Sequence, residues 1–324
     1  MKNNEHHISK NIRHFFLLTA LAAGTVHVLN RVVDMAAELK NILKSENGNF
    51  YDWKNGEIYY TKRGTGSPVL LIHELDPMSS SYEWNRMIKK LEKQHTVYTL
   101  DLLGCGRSEK PYLTYTNYLY VQLVTDFIQN IIREKTDVIT SGNSISFVVL
   151  ASNMNTNLIN RVIAINPPAV GEFNHTPDQT SSIRKFLLES PIVGTFIYNL
   201  RTHEKMIERR FASEYFAKPQ LVSSKMIDAY FEASHMEHSH GKYLMASIEG
   251  NYTDNAIAHA LKKMESPLSI ITSRGLSYAA ANAETYIKQN SHIETASVSN
   301  AKLLPQLEVP QRLYDVIQML LTEQ

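Results

Sequence analysis

Short unbroken apolar runs alternate along this chain with stretches whose apolar residues recur every three or four positions. Val69-Leu70-Leu71-Ile72 is wholly apolar, and Thr96-Val97-Tyr98-Thr99-Leu100, Asp137-Val138-Ile139-Thr140 and Arg161-Val162-Ile163-Ala164-Ile165 have apolar centres. Runs of this kind predict strands covered on both faces of a sheet. Between them Trp84, Met87, Ile88 and Leu91 mark one side of a helix over 79–94. Leu123, Val124, Phe127, Ile128, Ile131 and Ile132 mark another over 117–135. The alternation predicts a doubly wound, mostly parallel α/β sheet. Ahead of it, Asn55-Gly56 between strand-like runs at 50–53 and 58–61 is a hairpin signal. Regular alternation stops after Pro168. Residues 171–264 carry helical patches at 183–188, 203–216 and 225–235, which predicts a helical cap inserted over the sheet. Strands resume at 267–271 and 293–298, and an amphipathic helix over 310–321 follows.

The N-terminal pattern differs. Residues 15–29 (FFLLTALAAGTVHVL) have no formal charge, and Lys2, Lys10 and Arg13 precede them against Glu5. The run is shorter than the roughly 20 residues of a spanning helix. It extends through Asn30 and Arg31 to Val32-Val33 if Arg31 snorkels to the interface. Residues 1–45 are therefore expected to form a tail and a membrane-anchor helix, followed by the α/β domain with its cap over 46–324. The basic excess predicts a single pass with a cytoplasmic N-terminus and an extracytoplasmic domain. Two alternatives stay open: a signal peptide cleaved near Ala20-Leu21-Ala22, giving a secreted protein, and a helix packed on the domain.

Composition adds mainly exclusions. With 324 residues, 43% apolar, a sizeable core is available, as one large domain or two smaller ones. A net charge of +1 offers no footprint for nucleic acid. One cysteine, Cys105, excludes an intrachain disulfide. His235, His238 and His240 (HMEHSH) invite a metal reading, but no partnered carboxylate pattern accompanies them, and a polar turn is the better account. No metal or cofactor is expected. Oligomeric state is left open.

Candidate chemistry centres on Gly142-Asn143-Ser144-Ile145-Ser146, between a strand and an apolar helix. It nearly matches the Gly-x-Ser-x-Gly turn that exposes a nucleophilic serine. A plain helix N-terminus capped by Ser144 is the competing account.

Three further stretches join it: His73 to Trp84 (HELDPMSSSYEW), Asp101 to Pro111 (DLLGCGRSEKP) and Leu304 to Pro310 (LPQLEVP). Together they resemble the α/β-hydrolase family with a helical cap, in its esterase and dehalogenase branch. The resemblance implies Ser144 as nucleophile, with the backbone N–H groups of Leu75 and Ile145 as oxyanion hole. It implies structural roles for His73 on the oxyanion loop, for Asp101 at a strand end and for Gly142 as the small residue of the turn. The family's general base falls at Leu303 and its acid at Leu276, and neither residue moves protons. Glu284, Glu172 and the cap histidines are the available substitutes. Losing the histidine of a serine triad costs on the order of a millionfold in turnover, about 8 kcal/mol. The expectation is thus a membrane-tethered protein of serine-hydrolase ancestry towards small esters, thioesters or lactones, with impaired or unusual catalysis. The alternatives are a non-catalytic protein that keeps its pocket for a small apolar or acyl-type ligand or for a partner, and a slow acyl acceptor at Ser144.

Overall fold

The computed structural model describes residues 2–44 and 48–322. Eight strands form one sheet: β1 (Asn49–Trp53), β2 (Gly56–Arg63), β3 (Ser67–Ile72), β4 (His95–Leu100), β5 (Thr136–Ser141), β6 (Ile159–Ile165), β7 (Leu268–Ser273) and β8 (Glu294–Val298). Their order is β1-β2-β4-β3-β5-β6-β7-β8. β1 and β2 pair antiparallel, β2 joins β4 antiparallel, and every later pairing is parallel. The hairpin turn is one residue earlier than expected: Trp53 pairs with Gly56, leaving Lys54 and Asn55 as the loop.

Side chains alternate across a strand, so an all-apolar run needs cover on both faces. β3 has it. Leu70 and Ile72 join a cluster with α3 (Asn117–Phe127) and α4 (Ile145–Met154), whereas Val69 and Leu71 face α2 (Asn85–Leu91) and the last helix, Pro310–Thr322. All four are fully buried, each worth roughly 1.5–3 kcal/mol. Between β6 and β7 the chain forms only helices and turns, among them α5 (Gln179–Glu189), α6 (Val193–Arg201), α7 (Glu204–Arg210), α8 (Ser224–Ser239) and α9 (Gly241–Glu249).

The N-terminal helix, α1 (Lys2–Glu38), covers the expected anchor, of which the side chains of Phe15 and Phe16 lie outside the described residues. No helix of the described residues is long and apolar enough to cross a membrane. The residues meant to extend the span are instead bonded to the cap. Asn30 donates to Ile192 O at 3.3 Å and accepts from Asn199 Nδ2 at 3.1 Å, and Asp34 accepts from the Ser239 hydroxyl. Ala37 is buried against the cap. The C-terminal part of α1 is thus docked, while Leu17, Leu21, Val28 and Val32 stay exposed. The side chains of Lys2, Lys10 and Arg13, and the domain boundary placed at 45/46, lie outside the described residues.

Candidate functional site

The site lies beyond the C-terminal ends of β3, β4 and β5, where the crossovers of a parallel sheet leave a crevice. His73 follows β3 and is wholly buried. Its Nε2 accepts the Leu102 N–H at 3.0 Å, and its Nδ1 donates to Glu74 O at 2.7 Å. Both nitrogens hold backbone, and burial lowers its pKa. This is a structural histidine.

Asp101, after β4, is equally buried. Its carboxylate accepts from Ser81 N at 2.7 Å, from Arg107 N and Nε at 2.8 Å each, and from Arg107 Nη2 at 3.0 Å. Burial alone would raise this acid, but the Arg107 charge and its hydrogen bonds bring it down to about 2. Gly106 has φ +49°, and a Cβ there would overlap the Asp101 carboxylate, so the turn demands glycine.

The elbow follows β5, and its geometry differs from the sequence expectation. Ser141 is extended (φ −108°, ψ 136°), Gly142 takes φ +54°, and Ser144 is already helical (φ −63°, ψ −17°). The strained residue is therefore Gly142, with Thr140 and Ser144 as the small neighbours two positions away. Ser144 is fully buried and its hydroxyl donates to His73 O at 2.7 Å. The Ile145 N–H, expected in the oxyanion hole, bonds back to the carbonyls of Gly142 and Asn143.

Glu74 fills the space a side chain at Gly142 would take. A Cβ on Gly142 would overlap Glu74 Oε2 and lie 2.6 Å from its Cδ. Asn143 grips this carboxylate: its N–H lies 3.1 Å from each oxygen, and its Nδ2 donates to Oε1 at 2.9 Å. Behind it, the Glu74 N–H donates to Glu83 Oε2 at 3.2 Å, and Gln306 bonds both Glu83 and Ser141. Burial, with Glu83 nearby, pushes Glu74 up to about 8. Burial likewise raises Glu83 to about 7.

Glu74 and Asn143 open onto a cavity of about 270 Å³, also lined by Leu75, Asp76, Arg210, Glu214, Tyr215, Tyr230, Ile248, Leu303 and Leu304. Leu303 thus shares this cavity with the elbow. Its loop is held by Asn166 after β6, whose Nδ2 donates to Lys302 O and Leu303 O at 3.0 and 3.1 Å. Leu276 lies in the turn after β7, its N–H bonded to Ser273 O, and does not line the cavity.

The cap histidines do not assemble. His235 is buried with its Nδ1 2.8 Å from Phe231 O, His238 meets Arg31, and His240 packs on Tyr243. Among the described residues no group of histidines, cysteines and carboxylates is disposed to hold a metal ion. Sequence reasoning overlooked Glu74, Glu83, Asn143 and Gln306 as a connected set. The available signal was Gly142 itself, the one residue of the pentapeptide suited to a positive φ.

With this architecture in view, the comparisons agree on its class. The alpha/beta hydrolase family description matches residues 66–276, well over half of the chain, and the chain belongs to that family. Among curated relatives, the soluble epoxide hydrolase of Corynebacterium sp. (strain C12) is 32% identical over 98 residues, 30% of this chain and 34% of that protein. The 2-hydroxy-6-oxo-6-(2'-aminophenyl)hexa-2,4-dienoic acid hydrolase of Metapseudomonas resinovorans is 34% identical over 74 residues, 22% of this chain and 26% of that protein. The chain thus spans about a third or less of the relatives it matches. Among solved structures, a membrane phospholipase A described as a bacterial virulence factor superposes with TM-score 0.66 at 16% identity, covering 97% of this chain and 98% of that one. The epoxide hydrolase CorEH gives TM-score 0.68 at 20% identity, covering 84% and 97%.

Proposed function

We propose that this chain, of hydrolase ancestry, binds a small, partly apolar ligand beneath its cap and does not perform serine-triad hydrolysis. One observation carries the reading: the Glu74 carboxylate lies over Gly142 and takes the Asn143 N–H. That N–H, from the residue after the strained turn, would otherwise be free to hold a developing oxyanion. A serine hydroxyl also needs a base within reach. Ser144 instead donates a hydrogen bond to a backbone carbonyl, and the cavity wall offers Leu303. The relatives' names, all hydrolases, support the ancestry without fixing a substrate. The test is reaction of the full chain with p-nitrophenyl butyrate and with a fluorophosphonate probe. Both reactions should stay at buffer background and be unaffected by Ser144→Ala. Rapid turnover that Ser144→Ala abolishes would defeat the proposal.

A second reading concerns the bilayer. Leu17, Leu21, Val28 and Val32 line one side of α1, and Val193, Phe196 and Leu200 are exposed on the neighbouring α6. Such a face favours resting in a membrane interface without spanning it. Co-sedimentation of the full chain with lipid vesicles, against a chain starting at Lys40, tests this. Equal recovery of both in the supernatant would remove it.

A further inference from the structure

We infer that the cavity takes a short amphiphilic amine, with its ammonium group against Glu74 and its hydrocarbon against Leu303 and Ile248. The inference deepens the binding role proposed above and rests on it. Charge is the first ground. Glu74, Asp76 and Glu214 line the cavity, and Arg210 is the cationic residue among its lining. Arg210 is already engaged, its Nη1 3.4 Å from Asp76 Oδ2. Glu74 is held only by neutral donors from Asn143 and has no cationic partner among the described residues. An anionic head would meet the acidic side chains of Glu74, Asp76 and Glu214, and a neutral one would give the Glu74 carboxylate no counter-charge.

The second ground is independent of charge. Tyr230 also lines the cavity, is 2% exposed, and its hydroxyl has no hydrogen-bond partner among the described residues. Buried hydroxyls are normally satisfied, so a polar ligand group is what this one lacks, and its oxygen can accept from a donor. An ammonium carries three donors and no acceptor, and is attracted to tyrosine faces such as those of Tyr215 and Tyr230. Leucine and isoleucine walls leave room for hydrocarbon. At about 270 Å³ the space falls below the roughly 300–1,000 Å³ of pockets for drug-sized ligands. A chain of a few carbons suits it.

Binding then displaces a proton. Burial keeps most Glu74 protonated at pH 7, and an arriving ammonium favours its carboxylate. Affinity should rise as pH increases from 6 to about 8. The other titratable and charged groups facing this point are Asp76, Glu83, Arg210, Glu214, Tyr215 and Tyr230. Glu83 also titrates near 7, so variants are needed to assign the proton.

Titration calorimetry of the full chain with n-butylamine, n-butanol and butyrate at pH 7 provides the test. Butylamine should bind at least about tenfold more tightly than either analogue. Its enthalpy should differ between phosphate and Tris buffers by an amount corresponding to nearly one proton released. Glu74→Gln should abolish both the preference and the proton release. Tyr230→Phe, which keeps the ring, should weaken butylamine several-fold and leave butanol unchanged, and it serves if Glu74→Gln fails to fold. Equal binding of butanol, tighter binding of butyrate, or an amine preference that survives Glu74→Gln would overturn the inference and leave the binding role standing. Binding of none of the three would overturn both. Fluorophosphonate labelling of Ser144 would sink the non-hydrolytic reading whatever the amine does.

Discussion

Two carboxylates leave neighbouring parallel strands at the same edge of the sheet, Asp101 after β4 and Glu74 just past β3, and their environments have opposite effects. Asp101 is held at about 2 and Glu74 at about 8. Burial raises both. What separates them is the Arg107 guanidinium, which reaches Asp101 through Nε and Nη2, stacks 3.8 Å from the centre of the Tyr59 ring, and donates through Nη1 to Leu43 O. Glu74 has only amide donors. The comparison teaches that one strand end is a permanent ionic brace, while the neighbouring strand end keeps a carboxyl group that titrates in the neutral range.

The largest effect should come from breaking the brace. Arg107→Met leaves a buried, unpaired Asp101 and should cost about 3–5 kcal/mol in urea unfolding. The acid side of the same pair has a definite sign. Because the folded pKa of Asp101 lies below its ordinary value, its contribution is present above about pH 4 and is lost as pH falls towards about 2. Asp101→Asn should flatten that acid limb.

Next in size is Gly142→Ser, which sets a side chain on a positive φ and into the Glu74 carboxylate. A cost of about 1–3 kcal/mol is expected from the backbone alone, and the overlap adds to it. Combining it with Glu74→Gly should recover the overlap, leaving a coupling visible in a double-mutant cycle. Leu303→His alone should give no ester hydrolysis. Added to the Gly142→Ser and Glu74→Gly pair it should raise p-nitrophenyl butyrate hydrolysis above background, because imidazole and hydroxyl then face one cavity.

Glu74→Gln should act through pH. A carboxyl group raised in the folded state contributes stability below about pH 4.5 and loses it as pH rises through about 8. The variant should therefore match the parent near pH 5 and exceed it at pH 9 by about 1 kcal/mol, since the buried charge no longer forms. Smallest is Ser144→Ala. It removes the bond to His73 O and should cost about 1 kcal/mol in stability.

The sheet was legible because β3, β5 and β6 are covered on both faces and so read as runs with apolar centres. The Asp101 turn was legible because two of its glycines take positive φ and its arginine closes on the carboxylate. The elbow was not legible in register. Thr140 to Ser144 and Gly142 to Ser146 both offer small residues four apart, so only the backbone distinguishes them. Nor does a sequence reveal that Glu74 crosses to Gly142, 68 positions away. The docking of α1 was not legible for a related reason. Its apolar stripe reads as a span, but Asn30 and Asp34, one turn apart, both bond the cap, and polar groups at that spacing were the sign of a docked face.

The Glu74 wedge over Gly142 also bears on descent. With this pair in place, a side chain at the turn is costly as a single substitution. Serine arriving first at 142 collides with the carboxylate, and a small residue arriving first at 74 abandons the Asn143 N–H and empties the turn. Either single change is expected to cost stability, so the two positions are coupled and a side chain at 142 needs a smaller residue at 74.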